Sequence, residues 1–260
     1  MRRDEAPSPA ARLLLPATAA LLALAGWQAA VVISRTTVFP LPAEVARGIG
    51  ELARQGILGP YVVDSLRRVL AGYGTAAVAG VALGLVMGRV RTLDRVVDPL
   101  VQLLRPISPL AWMPLAVIWF GVSEVAPMFL IFLAAFFPIV VATTQAVRGI
   151  PPVLFQAAAN FGVGGTALVR RVVFPAIIPS VLTGLRIALG IAWMVVVAAE
   201  MLGVDSGLGY LILDSRNAGA RYDLVIAGML MIGVIGLGLD LLMRRLERIP
   251  SVRWGFRQGN

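Results

Sequence analysis

Apolar residues run along this chain in long blocks, separated by short stretches that hold most of its arginines. A helix crossing a bilayer needs about 20 apolar residues, because in hydrocarbon the backbone must satisfy its own hydrogen bonds. Four uncharged blocks reach or approach that length: residues 13–34, 69–88, 106–123 and 125–147, of 22, 20, 18 and 23 residues. Two more follow at 178–202, interrupted by Arg186 and ended near Glu200, and at 224–243, with Asp240 close to its end. The pattern predicts six transmembrane helices and an all-α, polytopic membrane fold. A further uncharged stretch, 149–169, holds Pro151-Pro152, Gln156, Asn160, Thr166 and three more glycines. Its polarity predicts a loop carrying a short helix, and the orientation of everything after it depends on that choice.

Composition agrees with the pattern. Hydrophobic residues are 58% against 14% charged, a balance that excludes an ordinary soluble domain. All 23 basic residues are arginine, so a Walker-type phosphate loop, which needs a lysine on the nucleotide phosphates, cannot be built from this chain. The lack of histidine and cysteine removes thiolate and imidazole metal ligands, thiol nucleophiles, histidine-dependent triads and disulfides. The expectation is a chain that is no enzyme itself and holds neither metal nor cofactor.

The net charge of +9 does not point to nucleic acid, because the arginines sit between apolar runs and act as topology signals toward anionic headgroups. With the N-terminus inside, fourteen arginines fall on the cytoplasmic stretches, among them Arg89, Arg91, Arg95, Arg148, Arg170 and Arg171; seven fall outside, Arg67 and Arg68 included. Both termini are therefore expected to be cytoplasmic. The first apolar block is too long for a signal-peptide core, and residues 38–42 show no small-residue cleavage site.

Packing cues come next. Gly72, Ala76, Gly80, Gly84 and Gly88 recur every fourth residue, a ridge of small residues on one helix face that permits close backbone approach and predicts a tight helix contact, within the chain or with a second copy. Pro106, Pro109, Pro114, Pro127 and Pro138 fall in the third and fourth blocks and free carbonyls that must face protein or water, either as packing kinks or along a pathway. Ionisable groups at membrane depth are functional candidates by default. Arg105 and Arg186, near the inner ends of their blocks, read as snorkelling or ion-paired side chains or, alternatively, as positive groups along an anion path. Glu200 reads as a structural partner for an arginine or for loop amides, and Asp240 pairs with Arg244 at helical spacing. Trp119 and Phe120 read as interfacial belt, whereas Trp112, Met113 and Trp193 are weak pathway candidates.

The segment after the fourth block is the most informative. Pro151-Pro152 can open a helix and Gly162 can close it, framing VLFQAAANF, a helix of about three turns without the basic polar face of a lipid-surface helix. QAAANFGVGGTALVRRVVFPAIIP resembles the EAA loop of bacterial ABC importer permeases, in which Glu-Ala-Ala is followed after three residues by glycine and nine residues later by Ile-x-Leu-Pro. Ala157, Ala158, Gly162 and Pro175 match; Gln156 replaces the glutamate, Val172 the isoleucine and Phe174 the leucine. Residues 65–88, 104–121 and 183–212 resemble the nitrate, bicarbonate, taurine and alkanesulfonate permeases in the same order.

The resemblance implies a MetI-like fold in a bacterial inner membrane, working as a homodimer with two ATPase subunits and a periplasmic solute-binding protein, and translocating a small anion or organic sulfonate. It assigns Gln156, Ala157, Ala158, Phe161, Gly162, Val172, Phe174 and Pro175 to contact with the ATPase. The expected organisation is a tail over 1–12, a permease domain over 13–243 with its coupling loop at 149–177, and a basic tail over 244–260. Residues 43–61 and 204–223 are where a binding protein would land. The competing class is an ATP-independent secondary transporter or channel for a small anion. That class needs an inverted repeat with polar midplane sites, which the sequence lacks, and it leaves the 156–175 motif without a reason.

Overall fold

A computed structural model describes residues 9–34 and 38–247, leaving out the side chains of residues 9–13 and 16. Arg2, Arg3, Arg35, Arg248, Arg253 and Arg257, counted for topology above, lie outside the described residues. Among the described residues all regular structure is helical: α1 (Pro9–Ser34), α2 (Pro42–Arg54), α3 (Leu58–Arg89), α4 (Arg91–Leu104), a 3-10 turn (Pro109–Trp112) leading into α5 (Met113–Phe120), α6 (Val125–Arg148), α7 (Pro152–Asn160), α8 (Gly165–Leu168), a π turn (Val169–Val173), α9 (Phe174–Gly203), α10 (Leu208–Asn217) and α11 (Tyr222–Glu247). Relative to the expected boundaries, α1 starts inside the N-terminal tail and α11 runs past residue 243.

Among the described residues, five stretches are long and apolar enough to cross a bilayer: Ala17–Ser34, Leu58–Arg89, Val125–Arg148, Gly165–Gly203 and Tyr222–Glu247. The third expected span is not a straight helix. Helix α4 and the segment Pro109–Phe120 meet at 88°, and α5 is only eight residues long. Pro106 and Pro109 fall at the bend, where a proline cannot carry the α4 helix onward, and Pro114 stands in the first turn of α5. Hydropathy registers that this stretch is apolar but carries no information about its direction.

The chain forms two compact units, one of Met1–Leu58 with Ile212–Leu230 and the other of Gly59–Leu211 with Met231–Asn260. In the larger unit the glycine ridge of α3 meets α6. A Cβ added at Gly72 would stand 2.8 Å from Cβ of Ile131; at Gly80, 3.0 Å from Ile139; at Gly84, 2.6 Å from Thr143; and at Gly88, 2.5 Å from Val147. Partner positions advance together, so α3 and α6 are parallel. Parallel neighbours in a bilayer require the chain between them to cross once more, and the bent pair of α4 and α5 makes that crossing. The ridge is thus an intramolecular contact, tightened by Thr144 Oγ1 donating to the Gly84 carbonyl at 3.3 Å.

Against α6, helix α9 runs the other way. Ala126, Leu130 and Ala134 cluster with Val195 and Ala199, Gly184 packs on Ala142, and Val147 clusters with Val173, Ile177 and Val181. Partner positions now advance in opposite directions. Residues 149–173 therefore start and finish on one side of the membrane, which bears out the rejection of that stretch as a span. The descending part of α11 returns along α9: the Trp193 indole donates to the Ile232 carbonyl at 3.0 Å and Arg186 meets Asp240 at 2.6 Å. The C-terminal ends of α3, α6 and α11 and the start of α9 consequently share one arginine-rich side.

In the smaller unit, α2 is amphipathic, burying Val45, Gly48 and Leu52 at helical spacing. Pro42 occupies its first turn, and the Leu41 amide donates to the Glu44 carboxylate at 2.8 Å. Arg221 joins Glu51 at 2.8 Å and Asp223 at 2.9 Å. The Arg221 hydrogen bond holds the Glu51 carboxyl below its usual range, and Asp223 with Glu51 raises Arg221 in turn.

Candidate functional site

Helix α7 hangs between α6 and α9 on the arginine-rich side, and its two ends are set by the punctuation read from the sequence. Pro152 opens it in the first turn, where a missing amide leaves no hydrogen bond broken. At the other end the Gly162 amide donates to the Ala159 carbonyl at 3.0 Å and the Val163 amide to Ala158 at 2.9 Å. Gly162 takes φ +66°, a left-handed conformation that glycine adopts without strain, and the paired bonds form a Schellman stop. The helix is nine residues long, slightly shorter than the expected three turns.

One face of α7 is anchored. Ala158 is buried, and Phe155 packs on the cluster of Val147, Ile150, Val173, Ile177 and Val181. The other face is open: Gln156 and Ala157 are exposed, Val153 is 62% exposed, and Phe161 at the tip is 85% exposed. The open face of α7 thus carries exposed apolar side chains near both of its ends. Further along, Val172 and Pro175 are half-buried and Phe174 is partly exposed. Pro175 has no amide for the Arg171 carbonyl, and the π turn Val169–Val173 sits where that rung is missing. Beside α7 a cleft of about 720 Å³ is bordered by Gln145, Ser180 and Thr183 together with Val153 and Leu154.

The pathway candidates separate. Met113 is buried in the cluster of Leu130 and Val195 and Trp193 is buried over Gly236, so both are packed as core. Arg186 is paired with Asp240 and Glu247, one of the readings open to it from the sequence; Asp240 also binds Arg244 at 2.8 Å. Arg105 is exposed and Trp112 half-buried. Trp119 and Phe120 lie outward, 56% and 39% exposed.

At the far end of the same unit lies a site that the sequence reading missed. Arg68, counted there as a surface topology signal, is fully buried. Its guanidinium donates to Glu124 at 2.6 and 2.7 Å, to Glu200 at 2.8 Å, and to the Ser206 carbonyl and hydroxyl at 2.9 and 2.6 Å. Glu200, also fully buried, accepts from Ser65 Oγ and from the Gly209 amide, each at 2.9 Å; Ser65 Oγ accepts from the Leu208 amide at 3.0 Å. Glu200 is therefore the arginine partner expected of it, and the amide it caps belongs to the first turn of α10 rather than to a loop. The half-exposed Glu124 is held below the usual carboxylate range by its hydrogen bond to Arg68. A signal for this site was present, since Arg68 stands four residues before Gly72 on the same buried ridge.

Residues 79–250 match the family of binding-protein-dependent transport system inner membrane components. A Methanocaldococcus jannaschii protein provisionally named ABC transporter permease protein MJ0413 is 47% identical over 74% of each chain. The taurine transport system permease protein TauC of Escherichia coli is 34% identical over 89% of this chain and 86% of its own. The nitrate import permease protein NrtB of Synechococcus elongatus is 36% identical over 75% of this chain and 70% of its own. Among solved structures, a chain from the MetNI methionine ABC transporter shares the fold with a TM-score of 0.65 at 18% identity, covering 74% of this chain and 94% of that one. With the parallel and antiparallel helix pairs and the EAA-like loop already in place, the chain belongs to the family of binding-protein-dependent transport system inner membrane components, the ABC importer permeases.

Proposed function

We propose that this chain forms the translocation path for a small anion or organic sulfonate, as a homodimer served by two ATPase subunits and a periplasmic binding protein. The observation that carries this is α7: a short helix with an anchored face, a glycine stop and an apolar tip 85% exposed at Phe161, placed where the family's EAA motif falls. A chain without lysine needs a partner for its nucleotide site, and α7 is the part suited to seat in that partner. Closure of the ATPase pair on ATP moves the two α7 helices together and swings the packed α3, α6 and α9 as one body, opening the path outward; hydrolysis resets it. Loaded binding protein must by reciprocity favour the ATP-bound arrangement.

The substrate class rests on the taurine and nitrate relatives, both named for anionic groups. By the positive-inside rule we assign the arginine-rich side of the larger unit and, as expected from the sequence, both termini to the cytoplasm, and the α10 end of that unit to the outside. There residues 204–223, and residues 43–61 with the charged α2, offer landing surface for the binding protein. Arg105 and Trp112, which keep accessible surface, are the pathway residues we retain. The test is uptake by membrane vesicles holding the chain with its co-purified partners and a loaded binding protein. Uptake of labelled taurine or nitrate that stops when ATP is withheld supports the proposal. Uptake by the chain alone without ATP overturns it in favour of a secondary transporter.

A further inference from the structure

On the arginine-rich side, a hollow of about 650 Å³ opens between the end of α3, the start of α4, the end of α6 and α7. Arg89, Arg91, Arg95 and Arg148 line it, with Asp94 as the one acidic residue. Asp94 is paired with Arg148, which ties α4 to α6 and fixes Arg148 in the wall. The other three arginines have no carboxylate partner among the described residues. Like charges gathered on one concave surface repel each other, and a shared counter-charge relieves them.

We infer that this hollow binds the phosphate of an acidic phospholipid headgroup. Guanidinium forks match phosphate oxygens in bidentate fashion, and basic pockets between membrane helices on the cytoplasmic side are places where such headgroups settle. The remaining wall decides between lipid and free phosphate. Met87 and Val147 close its floor and are themselves buried, while the half-buried Phe155 offers an apolar edge for the glycerol and upper acyl carbons that a free phosphate would leave uncovered. Phe155 belongs to α7 as well, so an occupied hollow braces the base of that helix.

The positive-inside rule alone makes every arginine on this side equivalent, and the test separates the hollow from that background. The full-length chain in detergent is titrated with phosphatidylglycerol, with phosphatidylcholine and with inorganic phosphate, and bound species are counted by native mass spectrometry. The wild type is expected to retain phosphatidylglycerol in preference to phosphatidylcholine. Arg89→Gln, Arg91→Gln and Arg95→Gln each reduce that preference about fivefold, while the pair Arg170→Gln and Arg171→Gln, on the same side but outside the hollow, leaves it unchanged. Since the substituted side chains are exposed, thermal melting of each variant should match the wild type. Equal loss in the control pair, no loss in the hollow variants, or no preference in the wild type overturns the site. Retention of inorganic phosphate without selective lipid binding overturns the lipid assignment.

Discussion

The two ends of the larger unit solve opposite problems. Around Arg68 the guanidinium and Glu200 are fully buried and each is answered, in a network of two glutamates, two serines and the first two amides of α10, with bonded partners up to 143 positions apart. Around α7 the contacts are local, the helix stop is one glycine, and the tip side chain is left in solvent. A saturated buried network fixes one arrangement, because loosening any member strands a charge in low dielectric. A short exposed helix keeps its surface available for a partner. One end is built for internal definition and the other, on our proposal, for transmission.

Breaking the first end should have the largest effect. Arg68→Leu leaves Glu200 buried and unpaired, and loss of one partner of a buried pair costs about 3–5 kcal/mol; thermal melting in detergent should show a collapse in stability. Glu200→Leu should match it, and the double variant should recover part of the loss. Next comes Gly84→Leu, whose side chain must enter the space of Thr143 and the Val140 carbonyl. Overpacking there costs about 1–3 kcal/mol, read as a lower melting temperature and as loss of the α3–α6 contact in disulfide mapping.

Gly162→Val sharpens the contrast from the α7 end. A β-branched residue at φ +66° costs about 1–2 kcal/mol, too little to unfold the chain, yet it frays the helix stop. The expected outcome is a protein that melts nearly as the wild type but no longer couples ATP hydrolysis to uptake. Unchanged uptake and ATPase stimulation would count against the α7 assignment.

The smallest effect is one of pH. Glu124 and Glu51 are both held below the ordinary carboxylate value by arginine hydrogen bonds. A depressed carboxylate contributes stability that is complete above its unfolded pKa and is lost as pH falls through the folded one. The melting temperature should therefore be flat above about pH 5 and fall below about pH 4, and Glu124→Gln should shallow that fall.

What the sequence conveyed follows the same division. Features written in local spacing were legible: five of the apolar blocks, the small-residue ridge, the proline opening and glycine stop of α7, and the polarity that kept 149–169 out of the membrane. Features that depend on where distant residues meet were not. The bend at Pro106–Pro114 was invisible because hydropathy has no direction. Arg68 was read as surface because its partners, Glu124 and Glu200, lie 56 and 132 positions away. The Arg186 pairing with Asp240 spans 54 positions, whereas the bond from Arg244 to Asp240, four residues apart, was readable from spacing.

The central claim is that α7 is the contact between this chain and an ATPase. The chain has no cysteine, so a single Ala157→Cys on the exposed face of α7 gives a unique attachment point. The measurement is crosslinking of that variant in its native membrane with a short thiol-to-amine reagent, followed by mass spectrometry of the adduct. The account predicts one dominant adduct, to a separate chain bearing a P-loop, which moves or weakens when ATP is trapped. Adducts to lipid alone, or no adduct while uptake persists, would contradict it.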